Sequence, residues 1–243
     1  MANAIYDDEE FFKSYAQLPR SQNGLAAAPE WQDLKRMVGD VQDQTVIDLG
    51  CGYGWFCRWA CEAGASSVAG IDISEKMIAR AREMETNGTT TYAVSDVTDF
   101  KLDSGTYDLV YSSLTMHYLC EIDTLFGNVF RGLKPGGRFV FSLEHPIWTA
   151  VDGWFITKKD ELPIWPLNSY ADEGKKNKNW LGSNVTKYHR KLDTYIVSLL
   201  KVGFVLRDLV EWTPSKDDLL EHPEWSLEVH RPAFLLIAVQ KPE

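Results

Sequence analysis

The stretch Val46-Ile47-Asp48-Leu49-Gly50-Cys51-Gly52-Tyr53-Gly54 decides how the chain folds. Its first four residues are mostly apolar and predict a short buried strand. The glycines carry no Cβ, so the backbone can turn sharply and approach a ligand closely. Residues 55–63 have a helical composition. A strand, a glycine turn and a helix N-terminus together form a corner suited to a nucleotide-like ligand.

Two acidic residues support this interpretation, because each follows an apolar run. Asp72 comes directly after 67–71, and Asp96 follows 90–94. In a parallel sheet the carboxyl ends of the strands meet at one edge, where ligands bind. Glycines alone also serve helix–sheet packing, but with both acids present they indicate a ligand site.

Four further segments complete an ordered set of motifs: 68–74, 92–97, 107–113 and 133–138. Together with the first stretch they resemble the class I S-adenosylmethionine-dependent methyltransferases. The resemblance covers Thr45 to Leu143, about two-fifths of the chain. It is nearest to the small-molecule methyltransferases that include the ubiquinone and menaquinone biosynthetic enzymes, and the two ends of the chain resemble a bacterial branch of that group.

The alternation of elements predicts an α/β fold. Strand-like runs alternate with helix-like segments at 55–63, 74–86 and 121–132, with Ser74 as a predicted N-cap and Gly132 as a predicted C-cap. Continuous apolar strands separated by helices indicate a parallel sheet covered on both faces. The resemblance implies a Rossmann-like three-layer sandwich of seven strands, in which the last strand, 233–240, runs antiparallel between the fifth, 138–143, and the sixth, 205–210.

The predicted organisation is one methyltransferase domain over residues 1–243. A helical N-terminal lid is expected over 1–40. Residues 144–186 are expected to form a lid inserted after the fifth strand, because most of this stretch is rich in Pro, Gly, Asn, Lys and Trp without steady periodicity. A long helix is predicted to follow, over about 187–202, opened by Tyr188, His189 and Arg190.

Composition excludes several classes of function. The net charge of −10 and a pI near 5.0 argue against a nucleic-acid partner, because phosphates demand a basic surface. Apolar runs are too short to span a bilayer, and the first residues do not resemble a signal peptide. We therefore expect a cytoplasmic protein, monomeric or homodimeric, with no membrane partner.

The cysteines and tryptophans carry less information. Cys57 and Cys61 lie one helical turn apart, a spacing that allows a shared metal, but plain helix packing is favoured and no metal is expected. Four of nine tryptophans fall between the fifth strand and the last long helix, which indicates an aromatic pocket or, alternatively, a patch for a partner protein. These four are Trp148, Trp154, Trp165 and Trp180.

The resemblance implies S-adenosylmethionine as cofactor and assigns residues to it. Asp48 and the 50–52 loop would meet the methionine moiety, Asp72 the ribose, and Asp96 with Val97 the adenine. The residues implied at the cofactor are Asp48, Gly50, Cys51, Gly52, Asp72, Ile73, Met77, Asp96, Val97, Ser112 and Ser113. Arg20 is either a solvated arginine or a group that pairs with the cofactor carboxylate, with Tyr6, Phe12 and Tyr15 closing beside it.

Candidate catalytic residues are His117, Glu144 and His145. His117 follows the fourth strand and histidine titrates near neutrality, although loop packing is the alternative. Glu144 and His145 end the fifth strand, where an acid–base role competes with simply holding the lid. The expected substrate pocket contains Trp148, Trp180, Tyr188 and His189.

The sequence thus predicts methyl transfer from S-adenosylmethionine to an O or N atom of a small organic metabolite. A non-catalytic S-adenosylmethionine-binding regulator is one alternative. An NAD-dependent dehydrogenase is another, although its glycine fingerprint places glycine at the position of Trp55.

Overall fold

The computed structural model describes residues 5–85, 88–151, 153, 156 and 162–243. It contains two sheets built from nine strands within that part of the chain: β1 Thr45–Leu49, β2 Ser67–Asp72, β3 Thr90–Val94, β4 Tyr107–Ser113, β5 Leu133–Glu144, β6 Gly174–Trp180, β7 Ser183–His189, β8 Val205–Trp212 and β9 Phe234–Gln240.

Seven strands form the main sheet in the order β3-β2-β1-β4-β5-β9-β8. The first five strands pair in parallel, and β9 is antiparallel to both β5 and β8. The predicted Rossmann-like fold is therefore confirmed, including the antiparallel last strand. Because β1 lies between β2 and β4, the chain reverses its direction of travel across the sheet at β1, where such folds bind ligands.

Helices cover both faces of this sheet. Their bounds are α1 Glu9–Tyr15, α2 Pro19–Asn23, α3 Trp31–Val38, α4 Trp55–Glu62, α5 Glu75–Glu83, α6 Ile122–Gly132, α7 Pro146–Ala150, α8 Leu192–Val202 and α9 Lys216–Glu221. One core cluster joins the sheet to α6 and α8, and a second joins it to α3, α4 and α5. In the described part of the chain, no helix is long and apolar enough to cross a membrane.

Of the two predicted helix caps, one is confirmed and the other is wrong. Ser74 caps α5 as expected, since its hydroxyl accepts from the Met77 N–H at 3.1 Å. Gly132 is the last residue of α6 and not its cap. A Cβ there would lie 2.6 Å from Leu102 Cβ, so the glycine is required by packing.

The segment after β5 differs from the prediction. Helix α8 begins at Leu192, and residues 187–189 belong to the hairpin of β6 and β7. The inward positions of β7 are Val185, Lys187 and His189. Two of these three are polar, so the alternation is not visible as a hydrophobic pattern. Trp154 and the rest of 152, 154–155 and 157–161 lie outside the described residues.

The N-terminal segment, which comprises the described residues before α3, is attached next to the carboxyl end of β2. Asp7 Oδ1 accepts from the Ser74 hydroxyl at 2.6 Å and from the Lys76 N–H at 3.1 Å. These two bonds hold the segment against the N-terminus of α5, and α1 and α2 follow directly. The chain before α3 is thereby placed above the carboxyl ends of the strands.

Candidate active site

A cavity of about 1070 Å³ opens at the carboxyl ends of the central strands. Loops after β1, β2, β3 and β4 form its floor, and the N-terminal segment and the β6–β7 hairpin cover it. The sequence-predicted residues that line it are Arg20, Asp48, Gly50, Cys51, Gly52, Asp72, Ile73, Met77, Asp96, Val97, Ser113, His117, Glu144, Trp180 and Tyr188.

The glycine loop has two distinct spatial requirements. Gly50 has φ +80°, and a Cβ there would lie 2.2 Å from Thr115 Oγ1, so the loop packs closely against the turn after β4. Gly52 has φ +52°, and a Cβ there would meet nothing within 4 Å. Because Gly52 lines the cavity, that open space is where a ligand can approach the backbone.

Asp72 is held by backbone donors at the end of β2. Its Oδ2 accepts from the Gly52 N–H and its Oδ1 from the Ser74 N–H, both at 2.9 Å. Burial raises the pKa of Asp72 to about 6, although these backbone hydrogen bonds oppose the shift. The carboxylate is therefore positioned as an acceptor that loses its charge in mildly acidic solution.

Asp48 supplies an acceptor without a partner. Its Oδ1 is buried and makes no hydrogen bond, and its Oδ2 is 3.8 Å from the Cys57 Sγ. Burial, and to a lesser degree Asp72, raises the pKa of Asp48 well above its usual range. A buried polar atom without a partner is costly, so this oxygen is suited to a donor brought by a ligand.

Arg20 and Asp96 are fixed by neighbours at the cavity wall. Arg20 Nη2 donates to both carboxylate oxygens of Glu30 at 2.7 Å, and the Glu30 side chain is fully buried. The solvated alternative for Arg20 is thus wrong. Asp96 Oδ1 accepts from the backbone N–H and the hydroxyl of Thr98, at 2.9 and 2.7 Å.

Aromatic rings form the wall beneath the hairpin. The Tyr6 and Tyr15 rings lie 5.1 Å apart at 87°, and Trp180 meets them at 6.5 and 6.1 Å with angles of 75° and 83°. The Tyr6 and Tyr118 hydroxyls are 3.2 Å apart. All four residues line the cavity. Phe12 contacts Tyr53 instead, with ring centroids 5.8 Å apart.

His117, Glu144 and Lys187 form a polar cluster beside these rings. The Nδ1 of His117 accepts from the Glu144 N–H at 3.3 Å, and its Nε2 is 3.9 Å from Glu144 Oε2. Burial lowers the pKa of His117 to about 4. The ring is therefore neutral near pH 7, with its proton on Nε2 because Nδ1 accepts. Lys187 Nζ donates to Glu144 Oε1 at 2.5 Å.

Glu144 stays ionised in this cluster. Burial opposes its charge, but His117 and Lys187 outweigh burial and lower the pKa of Glu144. Its Oε2 is buried and has no hydrogen-bond partner.

Four predicted site residues do not reach the cavity. Ser112 donates its hydroxyl to the Leu49 carbonyl at 2.5 Å, on the strand face opposite Ser113. His145 caps α7, since its Nδ1 accepts from the Ile147 N–H and its Nε2 faces Glu211 at 2.9 Å. Each therefore has a structural contact that occupies its polar atoms.

The other two are His189, the last residue of β7, and Trp148 in α7. His189 is fully buried, with Nδ1 2.8 Å from the Thr149 hydroxyl and Nε2 2.9 Å from the Tyr170 carbonyl. Trp148 stacks on Trp165 at 5.2 Å, and Arg231 lies over the Trp148 ring at 3.9 Å. The expected pocket of 148, 180, 188 and 189 is therefore split, with only Trp180 and Tyr188 at the cavity.

The methyltransferase domain family matches residues 47–141. An S-adenosylmethionine-dependent methyltransferase from Mesorhizobium loti is 40% identical, with a TM-score of 0.86 over 90% of this chain and 100% of that one. This chain belongs to the S-adenosylmethionine-dependent methyltransferases. A candidate S-adenosylmethionine-dependent methyltransferase from Listeria monocytogenes is 39% identical, with a TM-score of 0.81 over 89% of this chain and 100% of that one.

A malonyl-[acyl-carrier protein] O-methyltransferase from Erwinia pyrifoliae matches this methyltransferase over a shorter span. It is 34% identical over 134 residues, which are 52% of this chain and 46% of that protein. This chain thus matches about half the length of that relative, so the likeness covers only part of its structure.

The cavity fits the cofactor of this methyltransferase family. Asp48 Oδ1 offers a buried acceptor without a partner, and Gly52 leaves open space beside the backbone. The dehydrogenase alternative is wrong, because the chain is a methyltransferase. The glycine fingerprint of a dehydrogenase also needs a third glycine where this chain has Trp55, which begins α4 and lines the cavity.

The sequence interpretation missed several cavity residues. Tyr118 and Thr115 lie in the loop around His117. Their closeness in sequence to His117 was the feature that could have indicated a place at the cavity. Glu30 forms an ion pair with Arg20, and Lys187 forms one with Glu144, so each holds a cavity residue in place. Neither was identifiable, because both contacts depend on the tertiary fold.

Proposed function

We propose that this methyltransferase transfers methyl from S-adenosylmethionine to an O or N atom of a small organic molecule bound beside Tyr118 and Glu144. The observation that carries the proposal is one continuous cavity with two chemically different ends. The glycine loop and Asp72 form one part of the lining, and Glu144 with the Tyr118 and Trp180 rings forms another. A volume of about 1070 Å³ is at the upper limit for one drug-sized ligand, which supports a cofactor together with a small acceptor.

The cofactor end has groups for each part of the ligand. Asp48 Oδ1 is suited to the methionine ammonium, Asp72 to the ribose hydroxyls, and Asp96 with Val97 to the adenine. Ile73 and Met77 would pack on the adenine faces, and Arg20, already bonded to Glu30, keeps further guanidinium donors for the carboxylate. Ser113, on the cavity side of β4, would lie near the methionine part.

The bound cofactor supplies the activated methyl group, so the protein must mainly align the acceptor and exclude water. Glu144 is better suited than His117 to contact the acceptor, because the Nδ1 lone pair of His117 is already used by a backbone N–H. His145, His189, Trp148 and Ser112 would act only by holding the wall in place.

The covering elements are proposed to open and close over the two ligands. The division into one domain over 1–243, with lids at 1–40 and 144–186, stays a prediction. Contacts of Trp180 with Tyr6 and Tyr15 support a joint movement of the hairpin and the N-terminal segment, which would exclude water on closure.

The test is a screen of fractionated metabolite extracts for release of S-adenosylhomocysteine, with the product identified by mass spectrometry. We expect a small molecule that gains one methyl group on O or N, and slower release by the Asp72→Ala variant at the same, subsaturating cofactor concentration. Binding of S-adenosylhomocysteine without turnover in any fraction would favour the regulatory alternative.

A further inference from the structure

The cavity wall is strongly acidic. Of the charged residues described along it, six are carboxylates and two are cations, Arg20 and Lys175. Arg20 is paired with Glu30, and Lys175 lies on the exposed side of β6. If Asp48, Asp72 and Asp96 serve the cofactor, Glu144 and Glu121 remain for the other end, since Asp99 lies beside Asp96. Such a wall attracts a cation and repels a carboxylate.

Glu144 presents one oxygen that the fold does not use. Lys187 occupies Oε1 at 2.5 Å, while the buried Oε2 makes no hydrogen bond. The nearest ring nitrogen, His117 Nε2, is 3.9 Å away, beyond hydrogen-bond distance. An ionised carboxylate can only accept hydrogen bonds. A substrate that receives the methyl group would therefore have to bring a hydrogen-bond donor to Oε2.

The rings of Trp180 and Tyr118 lie near the Glu144–Lys187 pair and are suited to a positive charge. Tyr6, Tyr15 and Trp180 are mutually near-perpendicular and within 6.5 Å of one another. The ring faces of Trp180 and Tyr118 already lie 5.2 and 5.7 Å from the Lys187 ammonium. Ammonium groups are attracted to the faces of aromatic rings, and cages of such rings bind quaternary ammonium ligands.

The basic groups at this end also favour nitrogen over oxygen. An alcohol must lose its proton as it attacks, which needs a well-placed base. His117 Nδ1 is used by a backbone N–H, and Glu144 is a weak base because His117 and Lys187 outweigh burial and lower its pKa. An amine needs no base during attack, because it can lose its proton to water beforehand.

We propose that the methyl acceptor is a primary or secondary amine, held by an N–H···O bond to Glu144 Oε2 and by the rings of Tyr6, Tyr118 and Trp180. This inference rests on the proposed methyl transfer. The ammonium first loses a proton to water. The nitrogen lone pair then forms the new N–C bond while the sulfonium C–S bond breaks and leaves its electron pair on sulfur, so the methylated product carries the positive charge.

The test compares binding of matched probes to the protein saturated with S-adenosylhomocysteine, by calorimetry. One set is phenethylamine, phenethyl alcohol and phenylacetate; a second is butylamine, butanol and butyrate. In at least one set the amine should bind at least ten times more tightly than the alcohol and the carboxylate with the same carbon skeleton. Equal or tighter binding of the alcohols or acids overturns the proposal, and so does the absence of binding by every probe.

Two kinds of variant locate the effect. Glu144→Gln should reduce the preference for amine over alcohol to less than twofold while S-adenosylhomocysteine affinity stays unchanged. If that variant does not fold, because Lys187 loses its partner, the double change Glu144→Gln with Lys187→Met removes both charges and should give the same loss. Trp180→Leu should weaken amine binding at least fivefold, whereas Trp180→Phe, which keeps a ring, should not.

The outcomes separate this inference from the proposed function. If S-adenosylhomocysteine itself does not bind, the proposed function fails. If it binds but the amine preference is missing, or survives in the Glu144 variants, only the amine assignment fails.

Discussion

Gly52→Ala should weaken cofactor binding strongly without unfolding the protein. Gly52 has φ +52°, a left-handed conformation that costs an alanine about 1 kcal/mol. The added methyl meets no protein atom within 4 Å, so the backbone conformation is the main cost to stability. For a chain of this length that corresponds to a fall in Tm of about 2–4 °C.

The effect on binding should be much larger, because the same methyl enters the cavity beside the Gly52 N–H that holds Asp72. We expect S-adenosylhomocysteine affinity, measured by calorimetry, to fall at least about tenfold, or about 1.4 kcal/mol. Gly105→Ala is the matched control: Gly105 has φ +61° and equally open space but lies away from the cavity. Equal affinity in the two variants, with similar Tm, would refute the placement of the cofactor against Gly52.

Four further predictions concern Asp72 and the hairpin. Asp72→Ala should weaken S-adenosylhomocysteine binding by roughly 1.5–3 kcal/mol, the scale of hydrogen bonds to a charged group, and an unchanged affinity in a folded variant would contradict the ribose contact. Because burial raises the pKa of Asp72 to about 6, affinity should fall as pH is lowered through that value. Folding stability should change with pH in the opposite direction to affinity, because the stabilising contribution of Asp72 is present at low pH and is lost as pH rises through about 6. Asp72→Asn should therefore raise Tm relative to the native protein at about pH 8. A Tm difference that does not depend on pH would contradict the raised pKa. Backbone amides of β6 and β7 should exchange more slowly with S-adenosylhomocysteine and phenethylamine bound than with S-adenosylhomocysteine alone, and equal protection would mean a static hairpin.

The sheet and the cofactor end were predictable because their signals are local. The strand, the glycine turn and the helix follow one another over residues 45–62, and Asp72 directly follows an apolar run. Parallel pairing then brings the strand ends together without further information. The structure places Asp48, Asp72 and Asp96 in one cavity wall for that reason.

The acceptor end was harder to predict, because its roles depend on tertiary contacts. His145 and His189 are conspicuous in sequence, but Glu211, Thr149 and Tyr170 occupy their ring nitrogens. The hairpin was missed because β6, with the sequence GKKNKNW, has no apolar alternation. Its two-residue turn places Leu181 at φ +51° and Gly182 at φ +81°, and only the glycine is typical of such turns.

Strand periodicity does explain the difference between Ser112 and Ser113. Successive side chains of a strand point to opposite faces. Ser113 therefore lines the cavity while Ser112 bonds to Leu49. The alternation thus predicts that only one of the two serines reaches the cavity.

The central claim is that the cavity above Gly52 and Asp72 binds S-adenosylmethionine. Calorimetric titration of the purified protein with S-adenosylhomocysteine, alongside NAD as a control, tests it most directly. The structure predicts saturable binding of S-adenosylhomocysteine at one site per chain and no heat from NAD. Binding of NAD without binding of S-adenosylhomocysteine would contradict the claim.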